Sequence, residues 1–306
     1  MGWKSFFSFL FFLFVLVTLV IYWFLPYNSK EFFISNEFKG NSNFNLENGS
    51  MTQFYPNMRF PTSQISYNIN NGCTLQKKAD MERAFEIVSD KTVLSFYPVF
   101  SDEEISIGCS NKNQVEGGLF IAGEGGPTNI TKSGNYNIIF NGEILLLRDS
   151  QCENPNVGIH ELFHVLGFNH SDNPNNIMYS VSKCNQEISQ DMIDLIYELY
   201  SVSSEPDLIF EEVSAQMLGK YLGTEFTIRN YGLADADKFE IEIYADNKII
   251  KTVYSEEIPI GFGRTISLSN VLVPQFSVDK IELIIKSNFS ELDKENNKIS
   301  LEVNKN

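Results

Sequence analysis

Three histidines are all that the 306-residue chain contains, and they crowd into one stretch: His160, His164 and His170, in the run HELFHVLGFNH. The run reads H-E-x-x-H-x-x-G-x-x-H. On a helix, residues four apart share a face, so His160 and His164 aim two imidazoles at one point. Two such rings bind one Zn2+ at about 2.0–2.1 Å each. Glu161 is rotated about 100° from His160, given roughly 3.6 residues per turn, so it flanks a metal instead of ligating it. Gly167 supplies the left-handed backbone that ends a helix and lets the chain reverse. Three residues later His170 completes the set. Three protein ligands leave a fourth position for water, which is the catalytic arrangement. Zinc there lowers the water's pKa to about 7 and polarises a carbonyl. Glu161 then serves as general base and returns the proton to a leaving amine. Ordinary core or surface histidines are the bland reading, but here one motif consumes every histidine.

The elements that must hold these residues follow from periodicity. Gln64–Ile69 (QISYNI) alternates with period two and reads as a strand. Met81, Ala84, Phe85 and Val88 mark one apolar helix face. Val93–Val99, Glu104–Gly108, Gly117–Ala122 and Tyr136–Leu147 read as further strands. Ser189 fits a helix N-cap, with Asp191 in the first turn and Met192, Ile196, Leu199 and Tyr200 as the buried stripe. Ala122–Asn129 (AGEGGPTN) reads as a plain turn, with a Ca2+ role as the weaker alternative. Beyond Pro206 the helical period disappears. Short alternating runs around Phe226, Phe239–Ile243, Ile281–Ile285 and Ile299–Val303 suggest an antiparallel sandwich.

The N-terminus has a different character. Ser5–Leu25 is an uncharged apolar run, and about 20 such residues span a bilayer as a helix. Trp3, Tyr22 and Trp23 sit at its ends, where interfacial aromatics belong. The run is too long for a cleaved leader and ends without small residues, so it reads as a transmembrane signal anchor over residues 1–26. Lys4 and the terminal amine favour an inside N-terminus. Residues 27–54 read as a stalk. Cys73, Cys109, Cys152 and Cys184 all lie beyond the span. Sequential pairing is the simplest of three connectivities, a four-cysteine zinc site being the other reading. Disulfides place the domain outside the cytoplasm. A net charge of -16 argues against a nucleic-acid partner.

The zinc motif together with Ser171, Pro174 and the IMYS around Met178 resembles the metzincin metalloproteases, the matrixin branch in particular. Met178 matches the methionine turn beneath the metal in that clan. RFPTSQISYNI, ADMERAFEIVSD and ISQDMIDLIYELY resemble that family's opening strand, first helix and last helix. The resemblance implies an α+β domain over 55–201, a mixed sheet with three helices. It also implies peptide substrates extended along an edge strand, best matched by Gly118, Leu119, Phe120, Ile121 and Ala122, with Asn156 shaping the pocket after the scissile bond. The chain departs from many matrixins in lacking histidines for a second zinc and a cysteine before Cys73. Residues 205–306 resemble the CARDB domain, an all-β Ig-like sandwich of surface proteins, through PDL, RNYG and DKENN. That likeness implies a surface partner for the C-terminal domain.

Two functions follow. One is a zinc endopeptidase in the cell membrane, single-pass, with its catalytic domain outside the cytoplasm. The alternative is a surface adhesion protein with an inactive protease-like domain. Glu161 separates them, because a decayed site that kept its ligands would have no need of the base.

Overall fold

The computed structural model of the protein describes residues 3–24, 29–35, 53–112, 115–116, 119–150, 152–275 and 277–302. The chain begins with helix α1 (Trp3–Phe24) and strand β1 (Ser29–Ser35). The side chains of α1 described at 6–20 are all exposed. Among the described residues no helix is long and apolar enough to cross a membrane. The expected transmembrane segment is nonetheless a helix here, over Trp3–Phe24. Nor is all of 27–54 a stalk, because β1 pairs antiparallel with a strand of the C-terminal sandwich.

The chain divides into two compact units. Lys39–Pro206 with Gly232–Ala234 form one, and Met1–Phe38, Asp207–Tyr231 and Asp235–Asn306 the other. The first unit holds β2 (Met58–Arg59), β3 (Gln64–Ile69), α2 (Leu75–Lys91), β4 (Ser95–Pro98) and β5 (Ile105–Cys109). A small pair, β6 (Val115–Glu116) and β7 (Leu119–Phe120), leads into β8 (Gly123–Ser133) and β9 (Tyr136–Leu146). Helices α3 (Asn156–Val165) and α4 (Gln190–Ser201) complete it. The sheet runs β2-β9-β5-β3-β4, and β8 pairs with β9. All its pairings are parallel except β8 with β9. Parallel strands are normally covered by helices. Here α2 buries the predicted face of Met81, Ala84, Phe85 and Val88, and α3 packs on β8 and β9.

Three details depart from the sequence reading. Most of the segment expected as a turn, Ala122–Asn129, instead belongs to β8, which starts at Gly123. Glycine is a poor strand former by propensity, but at Gly123 and Gly125 the space beside Glu161 admits no Cβ. Ser189 does start α4, but its Oγ makes no cap bond; it accepts instead from Asn176 Nδ2 at 2.8 Å. The stripe of α4 buries Leu195 beside Met192, Ile196 and Leu199, whereas Tyr200 accepts from Phe60 N at 3.0 Å and lies under the Arg59 guanidinium. Two disulfides close the expected sequential pairs, Cys73–Cys109 and Cys152–Cys184.

The second unit is a two-sheet sandwich. Its strands are β10 (Leu208–Leu218), β11 (Tyr221–Asn230), β12 (Phe239–Ala245), β13 (Lys248–Ser255), β14 (Gly263–Leu272), β15 (Lys280–Lys286) and β16 (Lys298–Glu302). The sheets run β1-β10-β11-β14 and β13-β12-β15-β16. Alternate residues meet in the core, as period two demands: Phe210, Phe226 and Ile228 from one sheet, Ile241, Ile243, Leu283 and Ile299 from the other. All pairings are antiparallel, as the alternation implied.

Candidate metal centre

Helix α3 carries His160, Glu161 and His164, and all three are more than nine-tenths buried. The helix ends at Gly167, whose φ of +93° is the left-handed conformation expected from the sequence. A Cβ at Gly167 would lie 2.7 Å from Met58 Cβ, so close packing as well as backbone angle requires glycine. The reversal brings His170 back over the helix. His164 Nε2 lies 3.0 Å from His160 Nε2 and 3.2 Å from His170 Nε2. Two nitrogens bound tetrahedrally at about 2.0–2.1 Å would stand about 3.3 Å apart, so the triad fits one metal ion.

The other ring nitrogens fix the tautomers. His160 Nδ1 donates to Ile177 O at 2.7 Å, and His164 Nδ1 donates to Phe168 O at 2.8 Å. Each bond leaves the Nε2 lone pair facing its neighbours, the outer-shell arrangement typical of metal-binding histidines. Burial lowers the pKa of His160, and burial with the neighbouring His160 brings His164 down to about 4. Burial also lowers His170. The rings are therefore neutral near pH 7, as ligation demands.

Met178 is fully buried, and its backbone organises the third ligand. Ser171 N donates to Met178 O at 2.9 Å, and Ser171 bridges Tyr179. The strip Ile177–Tyr179 thus holds His160 through one carbonyl and the residue after His170 through another.

Glu161 lies beside the triad under strand β8. A Cβ on Gly123 would stand 2.8 Å from Glu161 Cγ, and one on Gly125 only 2.5 Å from Glu161 O. Alternating glycines therefore let the strand run against the helix at that residue. Burial first, and Glu124 second, push the Glu161 carboxyl up to about 8. A divalent cation beside it acts in the opposite direction, favouring the charged form.

The three histidines and Glu161 border a cavity of about 660 Å³ that also involves Ile121, Ala122, Gly125, Arg148, Val157 and Val181. The residues expected to hold substrate fall at several places relative to this cavity. Ile121 and Ala122 do line the cavity, Leu119 and Phe120 belong to the small β6–β7 pair, and Gly118 lies outside the described residues. The strand that runs along the cavity is the start of β8, displaced a few residues along the chain. Among the described residues no strand pairs with its other side. Asn156 is 2% exposed, and its Nδ2 donates to Lys183 O at 2.7 Å. Its neighbour Val157 faces the cavity instead, because one residue rotates about 100° around the helix. Arg148, Val157 and Val181 had no signal in the sequence. The repeated glycines of AGEGGPTN were the available clue to β8.

Among the described residues, the group of histidine, cysteine and acidic side chains placed to hold a metal is His160, His164 and His170.

Comparison with known proteins agrees with this geometry. The Matrixin family model matches residues 59–201. No curated protein matches the chain. Among solved structures, a CARDB domain from Pyrococcus furiosus in complex with di-metal ions is similar at 15% identity, over 32% of this chain and 87% of that one, with a TM-score of 0.27. A domain of a putative cell surface protein from Methanosarcina acetivorans is similar at 15% identity, over 32% and 90%, with a TM-score of 0.28. Over residues 59–201 the chain is matrixin-like, a metalloprotease-like domain whose extended histidine motif occupies the helix and turn described above.

Proposed function

We propose that the chain is a zinc-dependent endopeptidase, anchored in the cell membrane with this domain outside the cytoplasm. The observation that carries the enzymatic reading is the convergence of three imidazole Nε2 atoms with a buried carboxyl on the same helix, both opening into one cavity. His160, His164 and His170 would hold the ion. When bound, zinc supplies Lewis acidity that activates water near neutral pH. With the ion held there, Glu161 would serve as general base towards a water and return the proton to the amine of the departing peptide. The edge of β8 that no strand covers among the described residues would accept an extended peptide, whose backbone adds as a further strand. Val157, Val181 and Ile121 provide apolar lining for a substrate side chain.

Anchoring is supported by the exposed apolar side chains of α1, such as Phe6, Phe9, Phe12 and Leu16, and orientation by the two disulfides. The C-terminal sandwich would present the catalytic unit or meet a surface partner.

A peptide library incubated with the full-length protein in detergent tests the enzymatic reading. Cleavage that stops with a chelator and returns with zinc supports it. Stoichiometric zinc without cleavage of any peptide pool favours the adhesion alternative. Membranes washed with carbonate test the anchor: release of the protein into the wash would exclude it.

A further inference from the structure

We propose that Phe54 is a positioning residue of the metal centre, acting through His164; the inference rests on the metal-site reading above. Phe54 precedes the matrixin-like segment 59–201 and falls within the stretch that the sequence presents as stalk. Its ring lies against the His164 imidazole, with centroids 5.8 Å apart and planes 25° from parallel. The contact covers one face of the ligand ring, while Phe54 itself remains 40% exposed. The aromatic ring thus stands between His164 and solvent.

The placement is built by backbone. Phe54 N donates to Gly167 O at 2.9 Å, and Gln53 bridges Phe168 in antiparallel fashion. Phe168 is the residue whose carbonyl receives His164 Nδ1. One short segment therefore supports both restraints on the ligand, the stacked face and the carbonyl that sets its tautomer. The segment is itself closed into a turn. Gln53 Nε2 donates to Met58 O and Gln53 Oε1 accepts from Met58 N, each at 2.9 Å. Met58 in turn fills the space that Gly167 leaves by having no Cβ. Gln53 to Met58 and Gly167 to Phe168 form one interlocked unit behind the second ligand.

Stacking restrains rotation of the imidazole about its χ2 torsion, which has only a broad preference of its own. A metal binds most tightly to ligands held in position beforehand, and loss of an outer-shell partner typically costs 10- to 100-fold in affinity. Phe54→Leu keeps apolar bulk but removes the flat ring, and Phe54→Tyr keeps the ring.

Both variants of the full chain are compared with the parent by zinc competition against a chromophoric chelator, and by the visible spectrum after cobalt substitution. Phe54→Leu is expected to bind zinc about 10-fold more weakly, release it faster, and shift the cobalt bands. Phe54→Tyr is expected to restore both properties. Thermal unfolding of the metal-free proteins shows whether packing alone has changed. Unaltered zinc affinity and cobalt spectrum in Phe54→Leu would overturn the proposal, as would an equal loss in Phe54→Tyr. Failure of the parent itself to bind zinc would instead remove the metal-site reading and this inference with it.

Discussion

Gly125 and Gly126 are neighbours on β8 with opposite surroundings, and the pair makes a sharp test of why the cleft has its shape. An added Cβ at Gly125 would lie 2.5 Å from Glu161 O and 3.0 Å from its carbonyl carbon and Cα, whereas one at Gly126 meets nothing within 4 Å. Neither residue has positive φ, so alanine meets no backbone strain at either site. Gly→Ala then stabilises through the unfolded chain by about 0.4–1 kcal/mol. At Gly126 this gain stands alone. At Gly125 it is opposed by overpacking against rigid backbone, which typically costs 1–3 kcal/mol. Gly126→Ala should therefore raise the melting temperature slightly, and Gly125→Ala should lower it: the opposed terms leave a net loss of up to about 2.6 kcal/mol, or several degrees at about 2–4 °C per kcal/mol for a unit of this size. The displaced atom belongs to Glu161, so peptide cleavage in Gly125→Ala should fall further than zinc content. Calorimetry, metal analysis and peptide hydrolysis on the same preparations measure all three. Equal stability and rate in the two variants would refute the claim that glycine is required by the approach of strand to helix.

Glu161→Gln should retain zinc, because the three ligands are untouched, yet lose about 10²- to 10⁴-fold in hydrolysis; undiminished hydrolysis in a zinc-replete sample would remove Glu161 from the mechanism. Replacing Cys152 and Cys184 by serine opens a bridge of sequence separation 32, and the chain-entropy model assigns it about 3–4 kcal/mol, readable by denaturant titration; unchanged stability would mean the unfolded chain is already restricted. In the sandwich, Lys280 and Lys298 lie 2.8 and 2.6 Å from Glu282 Oε1 and hold its carboxyl down to about 2. A depressed carboxyl stabilises the fold above its unfolded pKa, and that stability is lost as pH falls from about 4.5 towards 2. Because both lysines are partly exposed, the discounted contribution is about 1–2 kcal/mol. Glu282→Gln should remove it at pH 7 and flatten the acid profile over that window, while an unaltered profile would show that the pair is screened.

Local spacing made the centre of the site legible in the sequence. His160, Glu161, His164, Gly167 and His170 lie within one helix and one turn, where geometry follows from residue count. The same holds for the buried face of α2 and the core positions of the sandwich, because a period of 3.6 or 2 persists through each element. Legibility ended where placement depends on distant chain. Strand β8 has three glycines in its first four residues, Gly123, Gly125 and Gly126, and reads as a turn until the helix it crosses is known. Strand β1 pairs with β10, more than half the chain away, so no local signal marks it as part of the sandwich. Asn156 and Val157 differ by one step around α3, and only the packed helix decides which of them faces the cavity.

The same division explains how the metal centre is built. The motif brings three rings together but leaves each imidazole free to rotate and to choose a tautomer. The remaining restraints come from backbone outside the helix. Ile177 supplies the carbonyl for His160, Phe168 that for His164, and Met178 tethers Ser171 beside His170. Asn176 holds that strip in place by donating from Nδ2 to Ser189 Oγ and accepting from Met178 N at Oδ1. Gln186 fastens the following loop by donating to Val181 O at 2.9 Å. Each of these buried amides bonds to main-chain groups, so a hydrophobic replacement would leave those groups without partners, a loss of about 1–3 kcal/mol each. Chemistry is thus specified by eleven consecutive residues, whereas its geometry depends on polar side chains that no zinc motif names.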